Sequence, residues 1–251
     1  GDGDDIAIID STGGDLEVYM GDGDDTVTIE STGGAVDINT GGGEDTVTIE
    51  STGGNLDVDT GEDNDVVEIE STGGDTDVDT GAGNDTVTIQ RANGDIGIYT
   101  DDGDDTVTVV SARNKLDIDT GTGSDIVTIQ TVDGNTNIHT DEGDDIVTID
   151  SAGRDLDVDT DDGDDTVTIQ TVGGDLDIHA GDGDDDIKIF GLGGNGTVRG
   201  GEGDDTLLID GRANNDNTFN GTSLWWSGGD GNDRVSTFFI NIGSTILTLF
   251  D

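Results

Sequence analysis

Short stretches of strict apolar–polar alternation recur in one register along most of this chain. In Thr26-Val27-Thr28-Ile29 the aliphatic side chains take every second position. The Val27 position returns as Val47, Val67, Val87, Val107, Val127, Val147, Val167, Ile187 and Leu207, and the Ile29 position as Ile49, Ile69, Ile89, Val109, Ile129, Ile149, Ile169, Ile189 and Ile209. A second alternating stretch follows each of these, with inward pairs such as Leu56/Val58, Leu116/Ile118, Leu156/Val158 and Leu176/Ile178. A period of two marks a strand with one buried face. The pattern repeats every 20 residues without insertion from Gly1 to about Asp210. Two strands per repeat predict one coil of a solenoid, each strand stacked in parallel on its equivalent in the next copy. At about 4.8 Å per coil, about eleven coils would extend roughly 50 Å. The core would be four aliphatic side chains per coil, buried only because neighbouring coils cover them.

Interruptions and turns carry further expectations. Thr76, Thr136 and Gly196 break the Leu56 column and read as weak points. Gly34, Gly54, Gly74, Gly94, Gly134 and Gly174 share one slot of the second turn, which predicts positive φ there. Asn114 tolerates that conformation; Arg154 in the same slot has no explanation. The chain starts in phase with a repeat and without Met, and reads as a mature chain or a piece of a longer repeat tract.

Charge changes the picture most. The 251 residues carry 60 Asp+Glu against 8 Lys+Arg, a formal net charge of −52. Nucleic acid is excluded as a partner, because binding it requires cationic side chains on the phosphates. An anionic membrane surface is excluded likewise, and no apolar run reaches spanning length, so no membrane insertion is expected. With no Cys there is neither disulfide nor thiolate chemistry. Compaction at this charge is opposed by self-repulsion unless cations join the structure. One position is Asp in every copy: Asp5, Asp25, Asp45, Asp65, Asp85, Asp105, Asp125, Asp145, Asp165, Asp185 and Asp205. Stacked about 4.8 Å apart, neighbouring carboxylates would repel by about 1 kcal/mol in water and about 3–4 at an effective dielectric of 20. A cation between them reverses the sign. An all-oxygen, Gly-rich environment suits Ca²⁺. Zinc wants His or Cys, of which the chain has two and none. Magnesium demands tighter geometry and keeps its water.

The same residues carry a resemblance. Gly200-Gly201-Glu202-Gly203-Asp204-Asp205-Thr206-Leu207-Leu208 and Gly228-Gly229-Asp230-Gly231-Asn232-Asp233-Arg234-Val235-Ser236 fit the RTX nonapeptide GGxGxDxUx. Elsewhere Thr replaces the first Gly, as in Thr40-Gly41-Gly42-Gly43-Glu44-Asp45. The chain therefore resembles a calcium-binding parallel β-roll of the RTX type, over about 85% of its length. The resemblance implies Ca²⁺ between successive coils, held by the recurring Asp residues, with Asp233 added, and by loop carbonyls such as those of Gly21 and Gly23. RTX rolls usually repeat every 18 residues with a calcium turn on both sides. Here the second turn, Ser31-Thr32-Gly33-Gly34, has no such Asp, so one row of ions is expected. The 20-residue coil is similar to the calcium-bound repeats of large bacterial surface adhesins. Asp63, Asp101, Asp141 and Asp161 replace turn glycines and are expected to weaken single sites.

Outside the core, Asp37, Asp57, Asp77, Asp117, Asp157 and Asp177 form an outward acidic column, with Asp59, Asp79, Asp119 and Asp159 in the next. They read as a solvated face, or as a lattice for more Ca²⁺, a mineral or a cationic partner. Thr26/Thr28, Thr46/Thr48, Thr86/Thr88, Thr106/Thr108 and Thr166/Thr168 form a ladder similar to the ice-binding face of some antifreeze solenoids, although Thr also favours exposed strand positions. His139 and His179 read as surface residues, and no catalytic constellation is found, so the chain is not expected to be an enzyme.

Residues 1–210 are thus expected to be an all-β, right-handed parallel β-roll of about eleven coils, and 211–251 a C-terminal β cap with one further nonapeptide. Within the cap, Phe238 to Ile242 and Thr245 to Phe250 read as a hairpin, and Trp225/Trp226 as an apolar patch for capping or self-association. End-to-end assembly is the other self-association mode. The expected role is a secreted or cell-surface, calcium-rigidified structural segment (filament or adhesin). The alternatives are an ice- or mineral-binding solenoid, or the accessory roll of a secreted toxin or enzyme.

Overall fold

A computed structural model describes residues 1–211, 223–238 and 246–250. They group into two compact units, Gly1–Thr122 and Gly123–Asp251. Among the described residues every regular element is a strand, and no helix is long and apolar enough to cross a membrane. The fold is a parallel β-solenoid with two strands per coil.

In the first unit, Ile6–Ile9, Thr26–Ile29, Thr46–Ile49, Val66–Ile69, Thr86–Ile89 and Thr106–Ala112 pair in parallel as one sheet. Leu16–Asp22, Val36–Gly42, Leu56–Asp59, Thr76–Asp79, Ile96–Tyr99 and Leu116–Asp119 form the other. The second unit repeats the plan from Ile126–Val132 and Thr136–His139 onward. Register is a shift of one repeat, as in Val27 against Val47 and Val147 against Val167. Alternation sends Val27, Ile29, Val36 and Ile38 into the core, each at most 2% exposed.

The core is wider than four columns. Turn residues Thr32, Thr52, Thr72, Ala92 and Ala112 are buried in the first unit, and Val132, Ala152, Val172 and Leu192 in the second. So are Thr40, Thr60, Thr80, Thr100 and Thr120, then Thr140, Thr160 and Ala180. A coil this tight has no room to turn those side chains outward, so small or β-branched residues fill the corners. The interrupted Leu56 column is partly repaired by its neighbours. Thr76 Oγ1 donates to Thr72 Oγ1 at 2.8 Å. The gap at Gly196 is taken by Leu224 and Leu192, whose methyls would lie 2.4 and 2.9 Å from a Cβ there. Of these three interruptions, Thr136 keeps a buried hydroxyl with no partner.

The glycines of the second turn do not have positive φ, which corrects the expectation for Gly34, Gly54, Gly74, Gly94 and Gly174. They are Gly because the preceding coil lies too close: a Cβ would sit 2.7 Å from the Ala35 amide at Gly54 and 2.3 Å from Asp155 Oδ1 at Gly174. Positive φ belongs to the first turn, at Gly21 (121°) and Gly23 (129°), and at Asp101 (57°), Asp141 (54°) and Asp161 (52°) where Asp replaces Gly. Short polar side chains tolerate this region.

The expected C-terminal hairpin about Gly243-Ser244 falls mostly on residues 239–245, outside the described residues. Arg234–Phe238 pairs in parallel with Thr206–Asp210, and Ile246–Phe250 with Ser223–Asp230, so they lie in different sheets. Each continues an existing ladder, which satisfies the open edge of the previous coil. Trp226 takes a core position opposite Val198 and is 3% exposed, while Trp225 is 51% exposed. Trp226 is therefore not part of a surface patch.

Two adjacent glycines offer a test. A Cβ at Gly43 (φ 122°) would lie 2.5 Å from the Gly23 carbonyl, whereas one at Gly42 meets nothing within 4 Å. Gly43→Ala is expected to destabilise by about 2–4 kcal/mol and Gly42→Ala by less than about 0.5, read from chemical denaturation.

Candidate metal centre

The recurring Asp follows the two positive-φ turn positions, which fold its side chain back into the coil. In the first unit Asp25, Asp45, Asp65, Asp85 and Asp105 are buried, and in the second Asp125, Asp145, Asp165, Asp185 and Asp205. Asp5 is exposed and Asp233 half-buried. Each carboxylate reaches the preceding coil. The amides of Asp5, Asp25, Asp45, Asp65 and Asp85 donate to Oδ1 of Asp25, Asp45, Asp65, Asp85 and Asp105, all at 2.7 Å. In the second unit the same bond joins Asp125 to Asp145 and Asp145 to Asp165 at 2.8 Å. It then lengthens through Asp165 to Asp185 at 2.9 Å to Asp185–Asp205 and Asp205–Asp233 at 3.1 Å.

The second oxygen has no such use. Oδ2 of Asp25, Asp45, Asp65 and Asp85, and of Asp145, Asp165, Asp185 and Asp205, is buried without a hydrogen-bond partner. A buried unsatisfied polar atom costs about 1–3 kcal/mol, and more when charged. Among the described residues, every such carboxylate oxygen belongs to this column. Beside it stands the inward Thr column. The Thr60 and Thr140 hydroxyls lie near enough to Asp65 and Asp145 to lower their carboxyls, but neither closes a hydrogen bond of normal geometry.

A second set of side chains points the opposite way along the stack. The Glu44 amide donates to Asp24 Oδ1 at 3.0 Å and the Asp184 amide to Asp164 Oδ1 at 2.8 Å. Each interval between such coils thus receives carboxylates from both sides, Asp24 with Asp45 and Asp164 with Asp185. Turn carbonyls face the same interval: a Cβ at Gly41 would lie 2.0 Å from Gly21 O. The donors on offer are carboxylate and carbonyl oxygens on glycine-lined backbone. That set fits a hard cation with many oxygen ligands, which is Ca²⁺ rather than a thiolate- or imidazole-seeking metal. Asp101, Asp141 and Asp161 keep the turn's positive φ, so the backbone of the row is unbroken at those coils.

Burial dominates the electrostatics. It pushes the carboxyls of Asp65, Asp145 and Asp185 up to about 7 and that of Asp165 up to about 6, against the opposing pull of the preceding Asp amide. Asp45, Asp85 and Asp205 are raised for the same reason. On the outer face, burial and then the neighbouring Asp37 and Asp77 raise Asp57.

The second turn holds no buried Asp. It has instead an exposed ladder, with the Ala35 amide donating to Asp15 Oδ1 at 2.9 Å, Asp95 to Asp75 at 3.0 Å and Asp175 to Asp155 at 2.9 Å. Sequence reasoning missed this ladder and the inward Thr column. Both were visible as columns, one mostly Asp or Asn apart from Ala35 and Lys115, the other Thr from Thr40 to Thr160.

No protein-family model matches the chain, and no curated protein matches it. Among solved structures it is similar to a hyperactive, Ca²⁺-dependent, β-helical antifreeze protein from an Antarctic bacterium. Identity is 22%, coverage 97% of this chain and 83% of that one, and the TM-score 0.53. The likeness is one of fold.

The pH response follows from the raised carboxyls. A carboxyl with its folded pKa above its unfolded value binds more protons folded than unfolded between the two, so metal-free stability falls as pH rises through that window. Without divalent cations, the β-sheet signal in circular dichroism is expected to be strongest near pH 4 and to fade towards pH 7–8, beyond the values of about 6 to 7. With Ca²⁺, which binds the ionised form, the trend reverses.

Proposed function

We propose that this chain is a calcium-dependent structural solenoid of the RTX type, whose coils close only when Ca²⁺ takes the buried carboxylate oxygens. The observation that carries this reading is the unpartnered Oδ2 repeated from coil to coil in both units. The calcium dependence stated for the antifreeze solenoid that shares its fold supports it. The ligands are Asp25 and its equivalents in one row, with turn carbonyls such as those of Gly21 and Gly23. Metal that binds only the folded state stabilises that state. The chain is expanded by its charge where calcium is scarce and stiffens in the millimolar calcium outside a cell. This fits a secreted or surface-displayed structural segment, filament or adhesin, with no catalytic role.

Titration with Ca²⁺ at pH 7.5, followed by circular dichroism and calorimetry, is expected to show β structure appearing with roughly one ion per coil and disappearing in excess EGTA. Unchanged β content in EGTA would sink the proposal. Asp65→Ala and Asp85→Ala together are expected to remove about two ions and raise the calcium midpoint.

A second reading is ice binding. Thr26/Thr28, Thr46/Thr48, Thr86/Thr88 and Thr106/Thr108 stand in register on one sheet of the first unit, broken at Val66 and Glu68. The antifreeze activity of the similar solenoid supports it. Thermal hysteresis in the calcium-loaded protein, lost in Thr46→Asp/Thr48→Asp, is the expected signature; freezing at the buffer's own equilibrium point removes this reading.

A further inference from the structure

Three departures from the repeat meet at one place in the second unit. His139 ends the strand Thr136–His139, and its register partner in the next coil is Asp159. Two residues beyond each lie Asp141 and Asp161, at a turn position that is Gly181, Gly201 and Gly229 in later coils. Both take the φ that Gly takes there, 54° and 52°. Side chains thus stand where most coils have none, in two consecutive coils beside a histidine.

Their donor atoms converge. His139 Nε2 lies 2.5 Å from Asp141 Oδ1 and 3.8 Å from Asp161 Oδ2. The three donor atoms lie within 4.8 Å of one another. The other ring nitrogen, Nδ1, faces Asp159 Oδ2 at 3.7 Å. A single N–H on Nε2 serves one acceptor well, so an ion pair leaves the second carboxylate without a proton to accept. A divalent cation takes all three atoms together. Nitrogen on one side and two carboxylates on the other, with water completing the shell, is a donor set for a borderline transition metal and not for Ca²⁺. Asp159, 3.7 Å from Nδ1, stands on the side from which a carboxylate commonly orients a metal-bound imidazole.

We infer that His139, Asp141 and Asp161 form a site for a divalent transition metal of the Zn²⁺ class, bridging two coils and separate from the buried carboxylate column. His179, one coil beyond Asp159, is not part of it: its ring contacts Arg199, a cation that competes for the same position.

The test is a Zn²⁺ titration by calorimetry, with Co²⁺ absorption as the spectroscopic readout. Both are run on the full chain in saturating Ca²⁺ with its β-sheet signal verified in the same buffer. The expected result is one tight ion per chain, with visible Co²⁺ bands that carry a nitrogen ligand. His139→Asn should weaken it at least tenfold, and Asp141→Gly, which restores the residue other coils use, should do the same; His179→Asn should leave it unchanged. Equal Zn²⁺ affinity in His139→Asn and the unaltered protein would overturn the assignment, as would an equal loss in His179→Asn. A chain that keeps its β structure in EGTA refutes the calcium reading alone, and the Zn²⁺ comparison stands on its own.

Discussion

A carboxylate buried in the turn of successive coils, with one oxygen bonded and, in Asp25, Asp45, Asp65, Asp85, Asp145, Asp165, Asp185 and Asp205, the other unsatisfied, governs the rest of this structure. Oδ1 accepts the amide of the preceding coil and so joins neighbours by a short charge-assisted bond. Oδ2 has lost its water and gained nothing in return. The first bond specifies how coils stack; the second oxygen makes that stacking conditional on a cation. Stability is therefore linked to both protons and metal, and the carboxyls raised to about 6 and 7 are the measure of how poorly the protein alone tolerates these charges.

Close stacking imposes the other regularities. Turn backbones approach so nearly that only glycine fits at several positions, and the few Asp residues found in the positive-φ slots are exposed or half-buried. Asp and Asn side chains in both turns extend the amide ladder from coil to coil. Since each coil is held chiefly by its neighbours, residues on the outer faces are released from folding duty. The Thr ladder, the acidic columns and the His139 cluster all occupy that released surface. These outer positions change in charge and chemistry between coils, whereas the Val27, Ile29 and Asp25 columns hardly change.

Much of this was legible from periodicity. The Val27 and Ile29 columns, the parallel stacking, the shift of one repeat and the fixed Asp all follow from a 20-residue register without insertions. Less legible were the features that depend on distance between coils. The glycines of the second turn suggested an unusual φ, and the structure shows a steric reason instead. Gly196 looked like a hole, but a leucine from the next coil fills it. At the C-terminal end the open solenoid edge offers parallel pairing to Arg234–Phe238 and Ile246–Phe250, which each extend one sheet.

The amino-acid sequence alone therefore determined the repeating unit, its two strands and the chemistry of its invariant position, because alternation and register are local and survive translation along the chain. Tertiary structure alone decided which oxygen of each Asp is satisfied, which glycines are compelled by contact, and that His139 meets carboxylates from two coils. Those outcomes depend on ångström-scale separations between residues 20 positions apart, and no pattern of residue types encodes such separations by itself.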